Sequence, residues 1–178
     1  MKYLLLLLFP LLTICGQNSN ENQQATLNQD ETSGITTYYL IRHAEKDRSD
    51  AKEKDPVLNA EGLKRAENWA NVLKDIPLDL IYSTNYKRTK ATAAPTAKLK
   101  LLEIKLYDPK KLYNSDFKKA TKGKNVLVVG HSDTTPAFVN AILGSKKYLD
   151  FDDSENGALF IITVNADGNT TSQVLYIN

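Results

Sequence analysis

Cysteine is nearly absent: Cys15 is the only one in 178 residues. A lone thiol closes no intramolecular disulfide, which excludes a scaffold stapled by bridges. Histidine is as scarce, with two, and no His/Cys/Asp cluster has zinc-finger spacing. There is no Gly-x-x-x-x-Gly-Lys loop and no Gly-x-Ser-x-Gly elbow, so neither a P-loop nor a serine-hydrolase elbow is present. Neither sign of charge dominates. Lys and Arg number 23 against 21 Asp and Glu, a net charge of +2 that argues against a nucleic-acid binder. No apolar run approaches the ~20 residues of a spanning helix, and no internal repeat is visible. The length suits about one domain and suffices for a real core without staples.

The first 34 residues divide in two. Lys2 is a minimal positive region, and Leu4 to Leu12, broken only by Pro10, is an apolar block of signal-peptide length. Leu12-Thr13-Ile14-Cys15-Gly16 resembles a bacterial lipoprotein cleavage site, in which the cysteine becomes the lipidated first residue. Ile14 departs from the usual small residue there, and the competing reading is an ordinary signal peptide. The need to explain a lone thiol favours lipidation at Cys15. Residues 16–34 are polar, without a helical or strand period, and cannot offset their ordering entropy by burial. They read as a flexible tether of about 25 Å. The expectation is an exported domain over residues 35–178, lipid-anchored to a bacterial membrane in the periplasm or cell envelope.

Within that domain Thr36-Thr37-Tyr38-Tyr39-Leu40-Ile41 has the composition of a buried strand and hands the chain directly to Arg42-His43. Ligands of open α/β sheets sit just beyond the carboxyl ends of strands. Asn125 to Val129 repeats the logic and ends in Gly130-His131. Between them, Asn59 can cap a helix whose inner face is Leu63, Ala66, Ala70 and Leu73, with Trp69 flanking. Leu78 to Tyr82 is a strand, and a helix starts near Tyr86. Arg88, in its first turn, opposes the helix dipole, so it either points to solvent or helps hold an anion drawn to that helix end. Leu99 to Leu106 reads as a strand, followed by a lysine-rich helix from Asp108-Pro109 to about Lys122. Ser132 or Asp133 can cap the helix after His131. Leu159 to Val164 and Ser172 to Ile177 form a closing hairpin around Asn165 to Asn169. The charged stretch from Glu45 to Asp55 reads as a solvated loop, with a mobile rim over the site as its functional alternative.

Two imidazoles and two guanidiniums suit a dianionic phosphate, because arginine's forked donors match its oxygens. Imidazole is also a competent nucleophile toward phosphorus. Leu40-Ile41-Arg42-His43-Ala44-Glu45 resembles the Arg-His-Gly signature of the histidine phosphatase superfamily, phosphoglycerate mutase-like branch. Ala44 stands where glycine is commoner, as in small phosphohistidine-phosphatase-like members. Leu58 to Ala66, Tyr82 to Ala93 and Val129 to Ser132 are similar to that branch's later blocks, in family order.

The resemblance implies a three-layer α/β/α domain with a mixed, mostly parallel sheet. It implies a metal-independent phosphomonoester hydrolase, with no cofactor, acting on a small phosphorylated substrate. His43 would become phosphohistidine, while Arg42, Arg88 and His131 would bind the phosphoryl oxygens, with Glu45 among the substrate contacts. Asp108 lies where the branch places its general acid but is equally a natural helix cap; Asp133 is the second candidate. A protein phosphohistidine phosphatase and a non-catalytic phosphate-binding module remain as alternatives. A mutase is disfavoured, because the chain leaves no room for the insertions mutases carry and an exported enzyme would lack the phosphorylated primer.

Overall fold

The computed structural model describes residues 34–177. The leader, Cys15 and the tether through residue 33 lie outside the described residues. Strands β1 (Thr36–Arg42), β2 (Leu80–Ser83), β3 (Ile104–Leu106), β4 (Asn125–Gly130), β5 (Ala158–Val164) and β6 (Thr170–Tyr176) alternate with helices α1 (Ala60–Val72), α2 (Lys87–Lys100), α3 (Ser115–Thr121) and α4 (Thr134–Leu143). The strands form one sheet in the order β3-β2-β4-β1-β5-β6. β3, β2, β4 and β1 are mutually parallel, while β5 runs antiparallel to β1 and β6 to β5. Each parallel crossover carries a helix, as a connection between parallel strands requires.

Both faces of the central strands are covered, so β1 and β4 read as continuous apolar runs. Tyr38, Leu40, Val126 and Val128 face α3 and α4 through Phe117, Phe138, Val139 and Ile142. Ile41, Leu127 and Val129 face α1 and α2 through Trp69, Leu73, Ala93 and Ala97. The result is the expected three-layer α/β/α arrangement around a mixed, mostly parallel sheet.

This layering makes the site. β1 and β4 pair in parallel with Arg42 opposite Gly130, so the next residues, His43 and His131, emerge side by side. The His43 N–H donates to the Gly130 carbonyl at 2.9 Å. The chain leaving β1 goes to the α1/α2 layer and that leaving β4 to the α3/α4 layer, which opens a crevice between them at the carboxyl ends. Gly130 is needed at this corner: a Cβ there would lie 2.7 Å from Thr135 Oγ1 and 3.0 Å from the Tyr107 hydroxyl.

Four local expectations are corrected. Leu63 is 56% exposed, and the inner face of α1 is instead Gly62, Ala66, Trp69 and Ala70. Gly62 packs so tightly that a Cβ would sit 2.1 Å from the Glu45 carbonyl oxygen. Leu99 and Lys100 belong to α2, which stops at Leu101 in a left-handed conformation, leaving β3 only three residues. The lysine-rich helix does not start at Asp108. The Asp108 carboxylate accepts from the Lys110 N–H in a turn, Tyr113 has φ +44°, and Asn114 caps α3 by accepting from Phe117. Finally β6 begins at Thr170, two residues earlier than expected.

Candidate active site

A cleft of about 610 Å³ lies over the ends of β1 and β4, with Arg42, His43, Arg88 and His131 in its wall. The His43 and His131 rings are 5.4 Å apart, edge to face. His43 is 3% exposed. Its Nδ1 lies 2.7 Å from the Ala44 carbonyl oxygen, and a carbonyl only accepts, so Nδ1 carries the proton and the lone pair sits on Nε2. Burial, then the charges of Arg42 and Arg88 and neighbouring His131, push the His43 pKa down to about 3, against the Ala44 hydrogen bond. The ring is therefore neutral near pH 7, with its lone pair on Nε2.

The segment holding His43 is tied from two further directions. Asn156 Nδ2 donates to the His43 carbonyl at 2.8 Å. The Ala44 N–H donates to Thr92 Oγ1 at 2.9 Å, and Thr92 in turn donates to the Arg88 carbonyl. The His43 ring is thus braced by its own backbone and by the helix bearing a neighbouring cation, which fixes its orientation.

The two guanidiniums are held differently. Arg42 is 2% exposed. Its Nη1 donates to the carbonyls of Asp152, Asp153 and Glu155 at 2.8–3.2 Å, and its Nη2 to Asp153 Oδ1 at 2.7 Å. Asp153 also pairs with Arg48 at 2.6 Å, and the two arginines, Arg48 foremost, hold its carboxyl well below the usual range. Arg88 leans on the Tyr86 ring, 4.6 Å from its centroid, and reaches Asp55 at 3.4 Å and His131 Nδ1 at 3.3 Å. Asp55 also accepts from the Lys87 N–H, so a carboxylate meets the positive end of α2 and offsets the cation beside it. The Nε atoms of Arg42 and Arg88 are buried and have no acceptor within the protein.

Residues 38–109 match the histidine phosphatase superfamily (branch 1). That span contains Arg42, His43 and Arg88; His131 lies beyond it. No curated protein sequence matches the chain. Among solved structures, the protein histidine phosphatase SixA complexed with tungstate is similar over 79% of this chain and 96% of its own, at 16% identity and TM-score 0.63. Phosphoglycerate mutase from Bacillus anthracis is similar over 82% and 95%, at 18% identity and TM-score 0.62. A phosphoserine phosphatase mutant from Entamoeba histolytica, in complex with phosphoserine, is similar over 78% and 95%, at 16% identity and TM-score 0.62. These likenesses establish the fold as phosphoglycerate mutase-like.

Of the residues singled out in the sequence, Arg42, His43, Arg88 and His131 converge on the cleft and two others do not. Glu45 is turned away: its Oε1 accepts from Arg65 Nε at 2.6 Å, and Arg65 continues to the Ile177 carbonyl. It joins α1 to the end of β6 and does not line the cleft. Asp108 is exposed and lies outside the cleft, whereas Asp133 lines it. Asp133 also caps α4, accepting from Thr134 N–H at 2.7 Å. Sequence reasoning missed Thr84, Thr92, Asp153 and Asn156. The polar run Asp152-Asp153-Ser154-Glu155-Asn156 ahead of β5 was the one available signal, and its pairing with Arg42 has no local trace. Among the described residues no group of three or more His, Cys, Asp and Glu could hold a metal ion.

Proposed function

We propose that this protein is a phosphatase that hydrolyses phosphomonoesters through a phosphohistidine on His43. The observation that carries this reading is the His43 ring, whose Nδ1 is bound to the Ala44 carbonyl so that the lone pair falls on Nε2, in a cleft wall shared with Arg42 and Arg88. The unsatisfied Nε–H groups of Arg42 and Arg88 add support, since buried donors without acceptors are costly and an anion's oxygens satisfy them.

The reaction divides into two displacements. His43 Nε2 attacks phosphorus, the P–O bond breaks, and the leaving oxygen takes a proton. Water then attacks the phosphohistidine, the P–N bond breaks, and Nε2 regains its lone pair as inorganic phosphate forms. Arg42, Arg88 and His131 stabilise the charge that develops on the phosphoryl oxygens, an effect of several kcal/mol per well-placed donor. The protein's own groups supply all of these steps, and the mechanism calls for no metal. Asp133 is the carboxylate best placed to protonate the leaving oxygen.

Protein phosphohistidine is a second substrate class that one observation favours. Asp153 is clamped by two arginines, which leaves Asp133, with one oxygen accepting in a cap, as the cleft's one other carboxylate among the described residues, so a leaving group needing little acid assistance suits the cleft. With the lipid anchor at Cys15, the enzyme would act outside the cytoplasmic membrane. The test is incubation of the protein with an aryl phosphate, followed by assay for acid-labile phosphate on the chain. A labile adduct that disappears in His43→Ala supports the enzyme. Tight phosphate binding with neither adduct nor turnover supports a binding module instead.

A further inference from the structure

His131 is held by a relay of hydroxyls that runs in one direction. The Thr89 hydroxyl donates to the carbonyls of Thr84 and Tyr86, both at 3.0 Å, and carbonyls only accept. Thr89 Oγ1 therefore receives a proton from its remaining neighbour, Thr84 Oγ1, at 3.0 Å. With its own proton spent there, Thr84 Oγ1 can only accept from His131 Nε2, 2.9 Å away. Both threonines are fully buried, so solvent cannot reverse the order. At the other end of the ring, Arg88 Nη2 lies 3.3 Å from Nδ1. A guanidinium only donates, so Nδ1 must present a lone pair. The relay and the arginine independently demand the same tautomer: proton on Nε2, lone pair on Nδ1.

This tautomer is wrong for an anion. Nδ1 shares Arg88's side of the ring, where a phosphoryl oxygen would sit, and a lone pair repels that oxygen. We infer that Thr84 is a positioning residue that locks the His131 proton on Nε2, so that His131 engages an anion only by taking a second proton on Nδ1. The proton comes from solvent. Binding of a dianion replaces the Arg88–Nδ1 contact with two donors, Arg88 and imidazolium Nδ1–H, aimed at one oxygen. The groups facing the ring agree with a resting neutral state: burial, Arg88 and Arg42 oppose protonation, Asp133 and Asp55 favour it, and the His43 and Tyr86 rings pack near-perpendicular to it. A bound dianion reverses that balance. The inference rests on the phosphate reading of the cleft.

The chain's two histidines make the test direct, because ring-nitrogen NMR of the protein labelled at histidine shows only two rings. Tungstate is the probe, since the dilute anion is a dianion at the pH of the measurement and its own protonation does not confuse the result. At pH 7.5 the unliganded protein should show His131 neutral with its proton on Nε2, and saturating tungstate should leave both ring nitrogens protonated. In Thr84→Val, a nearly isosteric change, Nε2 loses its acceptor; the Arg88 contact still holds the lone pair on Nδ1 without ligand, but with tungstate bound His131 should carry its one proton on Nδ1 and stay singly protonated. Thr84→Ser should restore the original behaviour, which a merely structural role for the threonine methyl would not allow. A wild-type His131 that remains singly protonated at saturation, or a tungstate-bound Thr84→Val spectrum identical to that of tungstate-bound wild type, overturns the inference while leaving the anion site standing. If tungstate perturbs neither histidine, the anion site itself falls and the inference with it.

Discussion

Acidification from pH 8 to pH 5 should cost the fold about 4 kcal/mol, and the cost should reside in two residues. His43 and His131 are buried and neutral in the folded chain, with pKa values pushed down to about 3 and about 4, whereas an unfolded histidine titrates near 6.5. The unfolded chain therefore binds more protons below pH 6.5, and stability is fully present above that value and lost as pH falls toward the folded pKa. At pH 5 each ring contributes about 2 kcal/mol of loss by linkage. That figure is set by the unfolded pKa and hardly changes for any folded value below about 4. The depressed carboxylates do not enter this window. Asp153, Asp47 and Asp152 lie below their ordinary 3.8 when folded, so the stability they contribute is lost only as pH falls below about 4. Urea unfolding at pH 8 and pH 5, followed by the fluorescence of Trp69, the single and fully buried tryptophan, measures the loss. His43→Gln and His131→Gln should each remove about half of it, and the double variant nearly all. A wild type whose stability falls by less than ~1 kcal/mol more than that of the double variant would refute the neutral-histidine assignment.

The remaining expectations are brief. His43→Ala should abolish turnover of nitrophenyl phosphate; residual activity within about tenfold of wild type, a loss of only ~1.4 kcal/mol, would remove His43 as nucleophile. Asp133→Asn should slow hydrolysis of an alkyl phosphate by roughly 10²–10⁴-fold and affect nitrophenyl phosphate far less, while Asp108→Asn should leave both rates unchanged; the reverse pattern would restore Asp108 as the acid. Gly62→Ala should cost at least about 1–3 kcal/mol by overpacking against the Glu45 carbonyl, and a neutral result in a urea titration would contradict that contact. Cys15→Ser should move the protein from the membrane fraction to the soluble one, since the tether has no apolar stretch to replace the lipid; identical partitioning would reject the anchor.

The elements that announced themselves were those whose reason is local. The apolar runs before Arg42 and before His131 are buried on both faces, so composition alone marks them as central strands, and both end where the sequence says. Asp108-Pro109 shows how a local signal misleads. Both residues suit a helix start, yet Leu112 and Tyr113 pack onto the core cluster around Tyr38 and Phe138, and Tyr113 takes a left-handed conformation that no helix tolerates. Tertiary packing therefore outweighs the Asp-Pro signal and moves the cap to Asn114. Leu63 failed for a related reason. Ala66 and Ala70 of the apolar period are buried, but the face of α1 is fixed by the approach of Gly62 to the Glu45 backbone, and a residue without a side chain leaves no mark in a hydrophobic pattern.

The site was legible in its chemistry and illegible in its wiring. His43 and His131 could be recognised one at a time because each follows a strand, but their side-by-side placement depends on β1 and β4 pairing in parallel with Arg42 opposite Gly130. The partners that tune them are more distant still: Thr84 lies 47 residues from His131, Asn156 is 113 from His43, and Arg42 spans 111 to Asp153. Threonine, asparagine and aspartate are common surface residues, so nothing in their type singles out these copies. What distinguishes Thr84 is that it is fully buried with its hydroxyl proton already committed. That property arises only once α2 is docked against β2, and it turns an ordinary side chain into one that dictates which nitrogen of His131 holds a proton.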